Sequence, residues 1–145
     1  MRPESLRDID VLICLAETIP SAIWSMEFTG THAWAYPIED FHGARGPWKQ
    51  FLKEVEGALR AGRRIFACCE GGHGRTGMFL ASMIALLEKS SDPVAIVRER
   101  YCREAVETLP QMQTIFSLLE QEVPPHYRNE LADRETSPLL RREMD

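Results

Sequence analysis

The chain has 145 residues, enough for one domain around one core, and its 44% hydrophobic and 27% charged composition stands clear of the disordered class. A formal net charge of -5, from 17 basic and 22 acidic residues, argues against a protein that holds nucleic acid by bulk positive charge. Four cysteines (Cys14, Cys68, Cys69, Cys102) lack the spacing of a disulfide framework or of paired zinc knuckles; without a secretory signal this reads as a reducing, cytoplasmic chain.

Val11-Leu12-Ile13-Cys14-Leu15 is a continuous apolar run, the pattern of a strand buried on both faces. Ala16 to Trp24 reads as a short helix beginning near Pro20-Ser21. After a turn at Gly30-Thr31, His32 to Tyr36 reads as a second strand, stopped by Pro37. Ile38 to Gly46 is loop, and loops at strand ends are where catalytic groups sit. Pro47 suits a helix's first turn, and Trp48, Phe51, Leu52, Val55 and Leu59 follow at helical spacing until Ala61-Gly62. Arg64 to Cys68 is a third strand. Met78 to Leu87 is apolar nearly all round, so it is a buried helix; a membrane span needs roughly 20 such residues. Ser91-Asp92-Pro93 opens another helix with a capping residue and a proline in its first turn, running to Tyr101. Thr108-x-x-Gln111 is a capping-box pattern for a last helix from Leu109 to Glu122. From Val123 onward the chain turns polar and proline-containing, which divides it into a domain, 1–122, and a loose tail, 123–145. Strands alternating with helices predict an α/β fold, a central, mostly parallel sheet of about four strands with helices on both faces.

The stretch between the third strand and the buried helix carries the chemistry. It reads Cys69-Glu70-Gly71-Gly72-His73-Gly74-Arg75-Thr76-Gly77. A glycine loop that runs from a strand into a helix N-terminus is an anion cradle, because loop N–H groups converge there and the helix dipole adds positive potential. Glu70, Gly71, Gly72, His73, Gly74 and Arg75 are the expected phosphate-binding positions, with the Arg75 guanidinium gripping through two parallel hydrogen bonds. The same field favours thiolate over thiol at Cys69. A thiolate beneath a bound phosphate points to covalent phosphoryl transfer. A nucleotide P-loop would need Gly-Lys-Ser/Thr, and Gly74-Arg75-Thr76 is in the wrong register for it. A thiolate displacing a phosphate ester also needs an acid to protonate the departing oxygen. On residue chemistry alone, Glu39 and Asp40 are equal candidates.

CCEGGHGRTG, with YPIED upstream, resembles the signature of the cysteine-dependent protein tyrosine phosphatases, especially the small dual-specificity type. The resemblance runs from Asp10 to Leu119 and makes 1–122 a phosphatase domain. It implies Cys69 as nucleophile, Arg75 as phosphate clamp, Asp40 rather than Glu39 as general acid, and no metal or other cofactor. Thr76 would hydrogen-bond the sulfur and ease its departure from the phosphoenzyme. Glu107 and Gln111 match a late segment that positions the hydrolytic water in some relatives, although a helix cap also accounts for Gln111. The family's histidine before the nucleophile is replaced by Cys68, which cannot supply imidazole hydrogen bonds, and the family's opening strand is expected to be short or missing.

The implied partner is a phosphorylated protein, phosphotyrosine first and phosphoserine or phosphothreonine second, with no nucleic acid and no membrane span. The same chemistry on a phosphoinositide, an inositol phosphate or an RNA 5′-phosphate is the nearer alternative; lipid-directed relatives carry lysines in the loop, where this chain has Glu70 and His73. A non-catalytic phosphate-binding module would be expected to lose Cys, Arg or Asp, and all three are present. A redox protein using Cys68-Cys69 would rely on a strained vicinal disulfide. His42 and Arg45 could touch substrate or stand exposed on the acid loop, and Trp24 and Trp34 are expected to pack in the core or at its rim.

Overall fold

The computed structural model describes residues 8–17, 31–69 and 73–136. Within them lie three strands, β1 (Val11–Cys14), β2 (His32–Ala35) and β3 (Ile65–Cys68), and five helices. The helices are α1 (Trp48–Arg60), α2 (Arg75–Glu88), α3 (Pro93–Arg100), α4 (Leu109–Ser117) and α5 (Pro125–Thr136). The sheet is wholly parallel in the order β2-β1-β3, with Cys14 paired to Ala35 on one side and Cys68 on the other. This is the expected α/β architecture, with three strands described rather than four. The helix expected from Ala16 to Trp24 lies, beyond Glu17, outside the described residues.

The central strand is apolar throughout because both its faces are covered. Val11, Ile13 and Leu15 point into a core shared with all five helices. Leu12 and Cys14 point the other way, against Ala33, Phe66 and Cys68, and are only 2% and 1% exposed. Asp10 fixes the lower end of the sheet: its carboxylate accepts from the backbone N–H and Nε of Arg64, which holds its pKa below the usual carboxylate range.

Helix α2 is buried nearly all round and packs on α3 and α4. Gly77 lets it approach the segment before α4, since a Cβ there would fall 2.8 Å from the Ala105 Cβ and 2.9 Å from the Val106 nitrogen. Helix α1 closes the core with Trp48 and Phe51 against Phe79 of α2, and the Trp48 indole donates to the buried Ser82 hydroxyl at 3.2 Å. Ala58, not the expected Leu59, completes its inner face; Leu59 is turned out at the helix's far end. The capping box of α4 forms as expected, but the helix stops at Ser117, where Glu120 takes a left-handed φ of 56° three residues on.

As far as Thr136, the stretch from Val123 is not a loose tail. It folds as α5 and buries Val123, Tyr127 and Leu131. The Tyr127 ring lies 6.0 Å from Phe116, and its hydroxyl donates to both carboxylate oxygens of Asp92, at 2.8 and 3.0 Å. Arg98 joins the two parts: its guanidinium sits 5.3 Å above the Tyr127 ring, ion-pairs with Glu130, and donates to the carbonyls of Ala105 and Val106. Two inward residues one helical turn apart were enough to dock an otherwise polar helix. Leu131→Ala is expected to lower the unfolding free energy by about 2–5 kcal/mol in a denaturant titration; an undocked tail would show less than about 0.5 kcal/mol. No helix among the described residues is long and apolar enough to cross a membrane.

Candidate active site

β3 ends at Cys68 and α2 begins at Arg75, so the strand delivers Cys69 beneath the first turn of the helix. The Cys69 Sγ accepts from the Thr76 hydroxyl at 2.8 Å and from the Thr76 backbone N–H at 3.3 Å. One of the helix's unpaired N–H groups is thus spent on the sulfur, and both donors stabilise negative charge there. Glu70, Gly71 and Gly72, expected at the floor of the cradle, lie outside the described residues.

Arg75 is only 3% exposed. Its Nη1 donates to the Ile38 carbonyl at 2.9 Å, its Nη2 lies 3.7 Å from the Asp40 carboxylate, and its Nε has no partner among the described residues. A buried guanidinium whose Nε has no partner among the described residues is suited to an anionic ligand. The same side chain ties the cradle to the loop that follows β2.

That loop holds the two acids in different settings. Asp40 faces Arg75, whereas Glu39 turns toward the His42 ring, 3.7 Å away. Asp40 also accepts from the Phe41 N–H, and Phe41 takes a left-handed φ of 63°. The loop is fastened to α4 from two points: the Thr108 hydroxyl donates to the Phe41 carbonyl at 2.7 Å, and the Ala44 N–H donates to the Thr114 hydroxyl at 3.1 Å. The Tyr36 hydroxyl donates to the Arg45 carbonyl. Asp40 therefore sits on a braced loop, with 54% of its side chain still open to solvent. Arg45 is exposed and His42 half-buried, while Trp34 packs on the core.

Glu107 and Gln111 meet the cradle from the far side. A Cβ on Gly74 would lie 2.6 Å from Glu107 Oε1 and 2.9 Å from Gln111 Nε2, so glycine is what lets these two side chains reach the loop. Gln111 is fully buried; its Oε1 accepts from the N–H groups of Glu107 and Thr108, and its Nε2 has no partner among the described residues. The cap role and a position beside the loop coexist in one residue.

His73, expected among the phosphate-binding positions, holds the loop to this same segment, its carbonyl accepting from the Val106 N–H at 3.1 Å. Its ring turns elsewhere, with Nδ1 3.1 Å from the Cys102 Sγ and Nε2 3.6 Å from Glu104. Tyr101 was not singled out by the sequence. Burial first, and then the charges of Cys69 and Cys102, push its phenol up. Nothing in its local pattern marks it. Cys68 points away, onto the second face of the sheet, where burial and the adjacent Cys14 push its thiol up to about 11. It stays protonated at neutral pH.

The chain matches known proteins at both levels. In solved structures, Tk-PTP in its active form superposes with a TM-score of 0.75 and 28% identity, covering 81% of this chain and 83% of that one. Its fold is that of the cysteine-dependent protein tyrosine phosphatases. The fold extends to more distant phosphatases. The kinase associated phosphatase KAP, solved with its catalytic-site cysteine changed to serine, has a TM-score of 0.67 at 19% identity over 89% of this chain and 75% of that one. PTPMT1 in complex with PI(5)P has a TM-score of 0.69 at 8% identity over 92% and 89%. Two uncharacterised proteins of Methanocaldococcus jannaschii are each 43% identical, over 60 and 58 residues, or 41% and 40% of this phosphatase-like chain. These matches span 40% and 36% of the relatives' own lengths. No family model matches the chain.

Proposed function

We propose that this chain hydrolyses phosphate monoesters of proteins, phosphotyrosine first, through a cysteinyl-phosphate intermediate. The observation that carries the reading is the pair of Thr76 donors on the Cys69 sulfur, next in sequence to a buried Arg75 whose Nε has no partner among the described residues. In the first step the Cys69 thiolate attacks phosphorus and the ester P–O bond breaks. Asp40 gives its proton to the leaving oxygen, and Arg75 holds the equatorial phosphate oxygens. In the second step water attacks the phosphocysteine, Asp40 takes back a proton, and the P–S bond breaks. The Thr76 hydroxyl then stabilises the sulfur as it leaves with negative charge. Gln111, whose amide nitrogen beside Gly74 has no partner among the described residues, is suited to orient that water, and Glu107 Oε1 lies against the same glycine. The chemistry uses no metal, and a cytoplasmic setting accompanies the four free cysteines.

A protein substrate is favoured over a highly phosphorylated lipid or inositol by the loop's charge, because Glu70 and His73 occupy positions where extra phosphates would call for lysine. A panel of phosphotyrosine and phosphoserine peptides, phosphoinositides, inositol phosphates and 5′-triphosphate RNA, assayed in EDTA, tests it. Phosphotyrosine peptides should give the highest kcat/KM, unchanged by the chelator. Preferred turnover of an inositol phosphate, a phosphoinositide or RNA would overturn the substrate class, and loss of turnover in EDTA would overturn the metal-free mechanism.

A further inference from the structure

Beside the catalytic loop, and outside the chemistry above, three different donor groups meet. The imidazole of His73, the thiol of Cys102 and the carboxylate of Glu104 each offer a ligand atom, and these atoms lie within 4.8 Å of one another. We propose that they form a binding site for a soft divalent cation, Zn²⁺ by donor type.

The donor set fits that ion. Thiolate and imidazole select zinc over magnesium or calcium, which want oxygen alone. A tetrahedral zinc with Zn–S at about 2.3 Å and Zn–N at about 2.0 Å sets sulfur and nitrogen roughly 3.5 Å apart. The Nδ1–Sγ separation here is 3.1 Å and the Nε2–Oε2 separation is 3.6 Å, so a small outward shift of the sulfur admits the ion on Nδ1. Glu104 is exposed and has the freedom to swing onto it. On binding, the thiol proton is released to solvent and a Zn–S bond takes its place. Three protein ligands leave a fourth position for water.

The backbones that carry these ligands are already fixed. The Cys102 N–H donates to the Val97 carbonyl at 3.2 Å, the Ala105 N–H donates to the Cys102 carbonyl at 3.0 Å, and His73 is held by Val106. A prearranged turn lowers the ordering cost of the site. A plain hydrogen bond from thiol to imidazole would need only Cys102 and His73. The third donor is the Glu104 carboxylate, an oxygen of which lies within 4.8 Å of the other two ligand atoms. His73 lies between Cys69 and Arg75 in sequence, and the ion would sit where the Val106 hydrogen bond already fastens the loop, so turnover does not depend on it.

The test must separate this site from the catalytic thiol, so it is run on Cys69→Ser, with binding rather than activity as the readout. Zn²⁺ affinity is measured by calorimetry, and Co²⁺ serves as a spectroscopic probe for a thiolate-to-cobalt charge-transfer band. One equivalent with that band is expected. Adding Cys102→Ser should abolish the band and weaken Zn²⁺ binding by about tenfold or more. Glu104→Gln, a change on an exposed side chain, should keep the band and still weaken binding. Absence of binding to Cys69→Ser would overturn the site, as would a band and affinity unchanged by Cys102→Ser. Affinity unmoved by Glu104→Gln would overturn the carboxylate's place in it.

Discussion

Cys69→Ser is expected to leave no measurable turnover of a phosphotyrosine peptide, a loss on the order of 10⁴-fold or more, while the peptide still binds. Serine removes the one atom that can form the intermediate. It leaves in place Thr76, Arg75 and the helix N-terminus, which do the holding. Arg75→Lys should lose most activity too, with kcat falling by about 10²–10³-fold. An ammonium cannot donate to the Ile38 carbonyl, face Asp40 and still offer a fork to phosphate, because it is a point charge on a flexible stem. Rapid-quench kinetics with calorimetric binding would check both. Appreciable single-turnover activity in Cys69→Ser would end the covalent mechanism.

What could be read in the chain depended on how local each feature is. Cys69, Arg75 and Thr76 lie within eight consecutive residues, between a strand and a helix, so their spacing already marked an anion cradle led by a thiol, and the family resemblance implied the Thr76 hydroxyl on the sulfur. The central strand was legible for the same reason, since an unbroken apolar run has no second explanation once both faces are covered. Asp40 was not separable from Glu39 by its own chemistry. The distinction is tertiary, set by which acid faces Arg75 and which turns to His42. Helix α5 was misread because only Tyr127 and Leu131 give it an inward face, and the partner that makes Tyr127 acceptable in the core, Asp92, lies 35 residues earlier. Leu59 and Ala58 show the reverse error: the larger side chain is outside because the helix has turned away from the core by its last residues. Cys102 reaches His73 through a turn that no periodicity records.

Asp40→Asn is expected to divide substrates by their leaving groups. An alkyl phosphate or a tyrosine ester departs as a strongly basic oxyanion, so losing the proton donor should cost about 10²–10⁴-fold in kcat. An aryl phosphate activated by electron withdrawal leaves without help, and its rate should fall less than about tenfold through the first step. The geometry makes this a clean experiment. The loop is held by Thr108 on Phe41, Thr114 on Ala44 and Tyr36 on Arg45, and none of these contacts uses the Asp40 carboxylate. The asparagine amide can keep the Phe41 N–H through its oxygen, so the loop should stay where it is while the proton is lost. Glu39→Gln serves as the control, because its carboxylate faces His42 and not the cradle. It should be near neutral for both substrate classes in a plot of log kcat against leaving-group basicity, where Asp40→Asn steepens the slope. The opposite result, a steep slope for Glu39→Gln and a flat one for Asp40→Asn, would move the general acid one residue back along the loop.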